Sequence, residues 1–133
     1  MNLTQYQQFV EKVTSQESND FKSFLNRINN LENQKDAIIP LLMTSAVGLS
    51  SETGEFNEIV KKIIFQGKPL TADNIFHMKR ELGDILWYWV NACRSLGLDP
   101  NDVLAENIKK LSLRYPDLQF DVLKSEVRDP NDL

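Results

Sequence analysis

PLLMTSAVGLSSETGEFNEIVKKIIF (residues 40–65) and ADNIFHMKRELGDILWYWVNACRSL (residues 72–96), joined only by QGKPLT (residues 66–71), decide the fold. Neither stretch alternates polar with apolar residues as a half-buried strand does, and each spaces its apolar residues helically. Pro40 suits a first helical turn, and Gln66-Gly67-Lys68-Pro69 stops the run, so a helix is predicted from near Pro40 to Ile64 or Phe65. Thr71 can cap a second long helix reaching Leu96, with Ile75, Met78, Leu82, Ile85, Trp89 and Cys93 as its core stripe. A connection this short makes the two helices antiparallel neighbours. Apolar residues on nearly all sides from Leu41 to Leu49 predict burial in a bundle or against a second copy.

Each long helix carries a carboxylate pair three residues apart with a glycine before the second acid: Glu52-Thr53-Gly54-Glu55 and Glu81-Leu82-Gly83-Asp84. Residues three apart share a helix face, so each motif projects two like charges in one direction. One isolated pair is ordinary solvated surface. Two matched pairs on adjacent antiparallel helices are expected to meet, with Gly54 and Gly83 permitting the close crossing. Four carboxylates in one small volume suit a hard cation, Mg²⁺ or Mn²⁺.

Working outward, Thr4 can cap a first helix to about Val13, with Tyr6, Phe9, Val10 and Val13 on one face. A second helix is predicted from Asp20 to about Asn30, burying Phe21, Phe24, Leu25 and Ile28, before a polar loop to Asp36. Asp99 as cap and Pro100 at the first position start a fifth helix that ends at Tyr115, before Pro116. Asp117 to Leu133, poor in apolar residues, is expected as an extended tail. The fold class is all-α, an antiparallel bundle of about five helices. At 133 residues the chain reads as one domain, with N-terminal helices at 1–35, a catalytic core at 40–116 and a tail at 117–133.

A net charge of −4 argues against a nucleic-acid polymer as partner. The single cysteine, Cys93, excludes an internal disulfide and a multi-cysteine zinc site, and reads as a buried structural thiol. The start, Met1-Asn2-Leu3-Thr4-Gln5, has neither the basic nor the apolar region of a signal peptide, and the apolar runs are too short to span a bilayer. A cytoplasmic protein is expected, in the host cytoplasm if a phage encodes it.

The fifth helix adds Asn107, Lys110 and Arg114 at spacings of three and four, beside the apolar stripe of Leu104, Ile108, Leu111 and Tyr115. Alone this is an amphipathic helix with cations favouring its C-terminal end. Beside four carboxylates and a hard cation, an amide and two cations are what a polyphosphate would need. Three further features have bland readings: His77 as a surface residue or a neighbour of the ligands, Trp87 and Tyr88 as packing rings able to stack on a base, and Asn57 and Glu58 as solvated extensions of the acidic face.

The stretch from Gly48 through Glu52 and Glu55 to Lys62, then Glu81 to Asp84, then Asn107 to Tyr115, resembles the MazG-like all-α nucleoside triphosphate pyrophosphohydrolases over about residues 40 to 116. The whole length, with Phe65-Gln66-Gly67-Lys68-Pro69, is most similar to the small single-domain phage and bacterial members. Many members have Glu where this chain has Ser51, a departure that leaves the four ligand positions intact. The resemblance implies Mg²⁺-dependent cleavage of a nucleoside triphosphate between the α and β phosphates, releasing the monophosphate and pyrophosphate. It implies that Glu52, Glu55, Glu81 and Asp84 are the metal-binding and catalytic residues. It also implies that Lys110 and Arg114, with Asn107 and more weakly Lys62, contact the substrate, and that the protein is a homodimer or homotetramer. A redox di-iron bundle fails on ligands, since His77 has no acid three residues before it. The remaining rival is a non-catalytic helical oligomerisation module with a structural cation.

Overall fold

A computed structural model describes residues 2–127; Met1 and the end of the expected tail, residues 128–133, lie outside the described residues. Within them the chain is helical throughout, with no strand. The five long helices are α1 (Leu3–Val13), α3 (Phe21–Gln34), α4 (Ile39–Phe65), α5 (Ala72–Ser95) and α6 (Pro100–Arg114), with short α2 (Gln16–Asn19) and α7 (Val122–Glu126) between and after them. None is long and apolar enough to cross a membrane.

The helix ends follow local chemistry. α1 is capped by Asn2 rather than Thr4, because Asn2 and Gln5 exchange side-chain and backbone hydrogen bonds in a capping box. Asp20 caps α3 by accepting from the Ser23 N–H at 2.7 Å. That helix continues past Asn30 to Gln34, since half-buried Leu31 extends the stripe of Phe24 and Ile28; Phe21 and Leu25 of the expected face are exposed. Gly67 at φ 70° ends α4 in the left-handed region, with the Lys68 N–H returning to the Lys62 carbonyl at 3.1 Å. In the expected extended tail, Asp121 caps the short α7 by accepting from the Lys124 N–H.

Antiparallel α4 and α5 form the main packed pair. Its seam is set where Gly48 lies under the Tyr88 ring: a Cβ at Gly48 would overlap that ring. Gly54 and Gly83, the glycines expected to allow the crossing, have no neighbour within 4 Å of where a Cβ would stand. The tight approach is about one turn before Glu52 and two before Glu55, set by the one glycine that meets an aromatic ring.

The buried residues cluster at the end of the pair formed by the start of α4 and the end of α5: Ile39, Ser45, Gly48, Asn91, Cys93 and Ser95. The polar ones are satisfied by their own helices, Ser45 Oγ donating to the Leu41 carbonyl and Ser95 Oγ to the Ala92 carbonyl, each at 2.7 Å. The Ile38 N–H donates to the Ser95 carbonyl at 2.7 Å and ties the α3–α4 junction to α5. Of the predicted α5 stripe, Cys93 is buried and Met78, Ile85 and Trp89 are half-buried, whereas Ile75 and Leu82 face outward. The half-buried residues Asn74, Met78, Glu81, Ile85 and Tyr88 step by four and three along one seam, and Ile75 and Leu82 each fall one residue past it.

Candidate functional site

The Gly48–Tyr88 contact fixes the antiparallel register. At 3.6 residues per turn it places Glu52 level with Asp84, Glu55 with Glu81, and Ile59 with His77, each further along towards the α4–α5 connection. Glu52 and Glu81 are half-buried at the seam, while Glu55 and Asp84 are exposed beside it. One carboxylate oxygen each from Glu52, Glu55 and Glu81 lies within 4.8 Å of the others. Asp84 stands outside that group, yet its charge acts on Glu52.

The electrostatics follow from that crowding. Desolvation at the seam pushes the Glu52 carboxyl above its ordinary range, and the charges of Glu55, Asp84 and Glu81 push it further, as does a hydrogen bond with Glu81. A cation would relieve such crowding of carboxylates, and all-oxygen donors fit a hard divalent ion.

An open cleft of about 380 Å³ adjoins the cluster. Ser51, Gly54, Glu55, Glu58 and Ile59 line it from α4, and His77 and Glu81 from α5. Glu58 is paired with two lysines, Lys62 Nζ at 3.0 Å from one oxygen and Lys61 on the other. These ammonium groups hold its carboxyl below the usual range. Lys62, a candidate substrate contact by sequence, thus pairs with Glu58 and does not itself line the cleft.

The structure does not bring the polar stripe of α6 into this cleft. Asn107 is exposed, Lys110 and Arg114 are half-buried, none lines the cleft, and α6 makes no extensive packing contact with α4 or α5. Of the two aromatic candidates, Tyr88 is a packing residue over Gly48, and Trp87 meets it edge-on at 4.7 Å with 58% of its surface exposed. Glu58 and His77, read from sequence as solvated or peripheral, line the cleft. The signal was their spacing: Glu58 follows Glu55 by three and His77 precedes Glu81 by four, so both continue the acidic face by one turn towards the connection.

Comparison with curated proteins and with solved structures returned no match. Among protein families, the model of the MazG nucleotide pyrophosphohydrolase domain matches residues 43–119, which contain α5, nearly all of α4, all of α6 and every acid of the cluster.

Proposed function

Because the chain belongs to the MazG nucleotide pyrophosphohydrolase family, we propose that it hydrolyses nucleoside triphosphates, ribo or deoxy, between the α and β phosphates with Mg²⁺ as the preferred ion and Mn²⁺ as a substitute. The observation that carries this reading is the convergence of Glu52, Glu55 and Glu81 from two helices of the family-matched segment. Glu52, Glu55 and Glu81 hold the ion, and Asp84, whose charge already bears on Glu52, completes the set. A divalent cation there neutralises phosphate charge and lowers the pKa of a bound water. Water oxygen joins the α phosphorus, the bond from that phosphorus to the bridging oxygen breaks, and pyrophosphate leaves. The proton lost by the water passes to a carboxylate of the cluster. Lys110 and Arg114 bind phosphate oxygens and Asn107 contacts the sugar or phosphate; Lys62, held on Glu58 and not lining the cleft, is the weaker candidate.

We also propose that the protein is a homo-oligomer, a dimer or tetramer, acting on nucleotide pools in the cytoplasm. Its accessible surface of 10891 Å² exceeds the roughly 7,100 Å² of a compact protein of this mass. Counted over two chains, the excess is more than the roughly 2,000–5,000 Å² that obligate dimers typically bury. Since α6 lies apart from the α4–α5 pair within one chain, the substrate roles of Asn107, Lys110 and Arg114 require assembly to carry an α6 to the cleft.

Incubation with Mg²⁺ and a panel of ribo- and deoxynucleoside triphosphates, separating pyrophosphate from orthophosphate, tests the reading. Pyrophosphate is expected; orthophosphate alone, or activity unchanged in Glu55→Ala and Asp84→Ala, would sink it. The separation of α6 from the cleft favours one rival, a non-catalytic oligomerisation module with a structural cation. Thermal shift separates them, since only the enzyme gains extra stability from nucleotide added over Mg²⁺.

A further inference from the structure

We propose that Glu58 and His77 form a sugar-reading subsite that contacts the hydroxyl groups of the nucleotide while the carboxylate cluster holds its phosphates. The inference rests on the nucleotide reading above and assigns the half of the cleft that this reading leaves without a role. That cleft has two halves. One shares Glu55 and Glu81 with the cluster; the other, a helical turn nearer the α4–α5 connection, is faced by Glu58 and Ile59 from α4 and by His77 from α5. A turn is about 5.4 Å, so a ligand anchored by its phosphates at the cluster reaches this second half with its next chemical group.

The side chains there disfavour two occupants and fit a third. A second cation is disfavoured because Lys61 and Lys62 each take one oxygen of the Glu58 carboxylate and already compensate its charge. His77, for its part, stands outside the acids whose oxygens converge. A phosphate tail is disfavoured because the wall it would meet is that carboxylate; the lysines paired with it do not line the cleft. A sugar fits on each count. Its hydroxyls donate to a carboxylate, its oxygens accept from an imidazole N–H, and its carbon face lies against Ile59. A carboxylate that accepts from sugar hydroxyls is also how dinucleotide sites read ribose. Pinned by its two lysines, Glu58 loses little freedom on binding.

The test is kcat/KM of the wild type, Glu58→Ala, His77→Ala and His77→Asn on a nucleoside triphosphate and on its 2′,3′-dideoxy counterpart with the same base. Wild type is expected to favour the hydroxyl-bearing substrate by roughly 10-fold or more, the scale of a hydrogen bond to a charged group. In Glu58→Ala and His77→Ala that preference shrinks towards one, mainly through KM, and His77→Asn restores part of it. The Mg²⁺ concentration for half-maximal rate stays at its wild-type value. A wild type that cleaves both substrates without preference, or variants that lose equally on both, overturns the subsite alone. A wild type that cleaves no nucleotide overturns the parent reading, and the subsite with it.

Discussion

Two residues, Glu52 and Gly48, set the charge of the cluster and the register of the α4–α5 pair. The Glu52 carboxyl is held above its ordinary value of 4.5 by desolvation, by three neighbouring acids and by its hydrogen bond with Glu81. In the metal-free protein the folded state therefore binds the proton more tightly than the unfolded chain. Its contribution to stability is present below 4.5 and lost as pH rises through the raised folded value. Glu52→Gln removes the charge, so the metal-free Tm at pH 7 is expected to rise, its decline with pH to flatten, and the Tm gain on adding Mg²⁺ to shrink. Activity is expected to fall by more than the roughly 10–100-fold that even an outer partner of a metal ligand is worth. Scanning calorimetry across pH, with and without Mg²⁺, checks the first three and initial rates the fourth. Gly48→Ala is expected to destabilise by about 1–3 kcal/mol, since its Cβ must displace the Tyr88 ring and with it the Trp87 contact. Gly54→Ala and Gly83→Ala, with open space at the Cβ, are expected to leave stability unchanged or raise it by up to about 1 kcal/mol. Chemical denaturation of the three variants decides this. The acidic spacing was legible because the helical period fixes it. Which glycine allows the close approach was not, because that depends on the residue facing it: Tyr88 for Gly48, and nothing for the other two.

At the scale of the element, the boundaries were readable wherever a side chain satisfies its own helix end. Thr71 caps α5 by accepting from the Asn74 N–H at 3.2 Å, and Asp99 caps α6 by accepting from the Asn101 N–H at 2.8 Å. Thr71→Ala is expected to cost about 1 kcal/mol and to loosen the start of the helix that presents His77 and Glu81. Equilibrium unfolding gives the first, and hydrogen exchange of the amides of Asn74 and Ile75 gives the second. The overshoot of α3 to Gln34 was hidden because its last turns are polar apart from Leu31, and polar runs carry no period. In the same way, the single cap at Asp121 starts α7 in a segment whose composition pointed to an extended chain. The α4–α5 pairing followed from the short connection; the outward turn of Ile75 and Leu82 did not, because a helix stripe does not reveal how wide a neighbour will cover it.

For the whole molecule, what one chain leaves uncovered matters as much as what it packs. Val47 on α4, Leu86 and Trp87 on α5, and Ile108 on α6 are each more than half exposed. The proposed oligomer would cover such residues. Sedimentation equilibrium is expected to give a mass of two or four chains, with Tm rising with protein concentration; a monomer with a concentration-independent Tm contradicts the assembly. The all-round apolar character of residues 41–49 is the sequence feature from which an oligomer is expected. The place of α6 relative to the acids was not, since helical periodicity says which face is apolar and not which chain covers it. Attack on the α phosphorus at the carboxylate cluster is checked by hydrolysing a nucleoside triphosphate with Mg²⁺ in water enriched in heavy oxygen and weighing both products. The label is expected in the nucleoside monophosphate, with unlabelled pyrophosphate; label in pyrophosphate, or products of nucleoside diphosphate and orthophosphate, would rule out that attack.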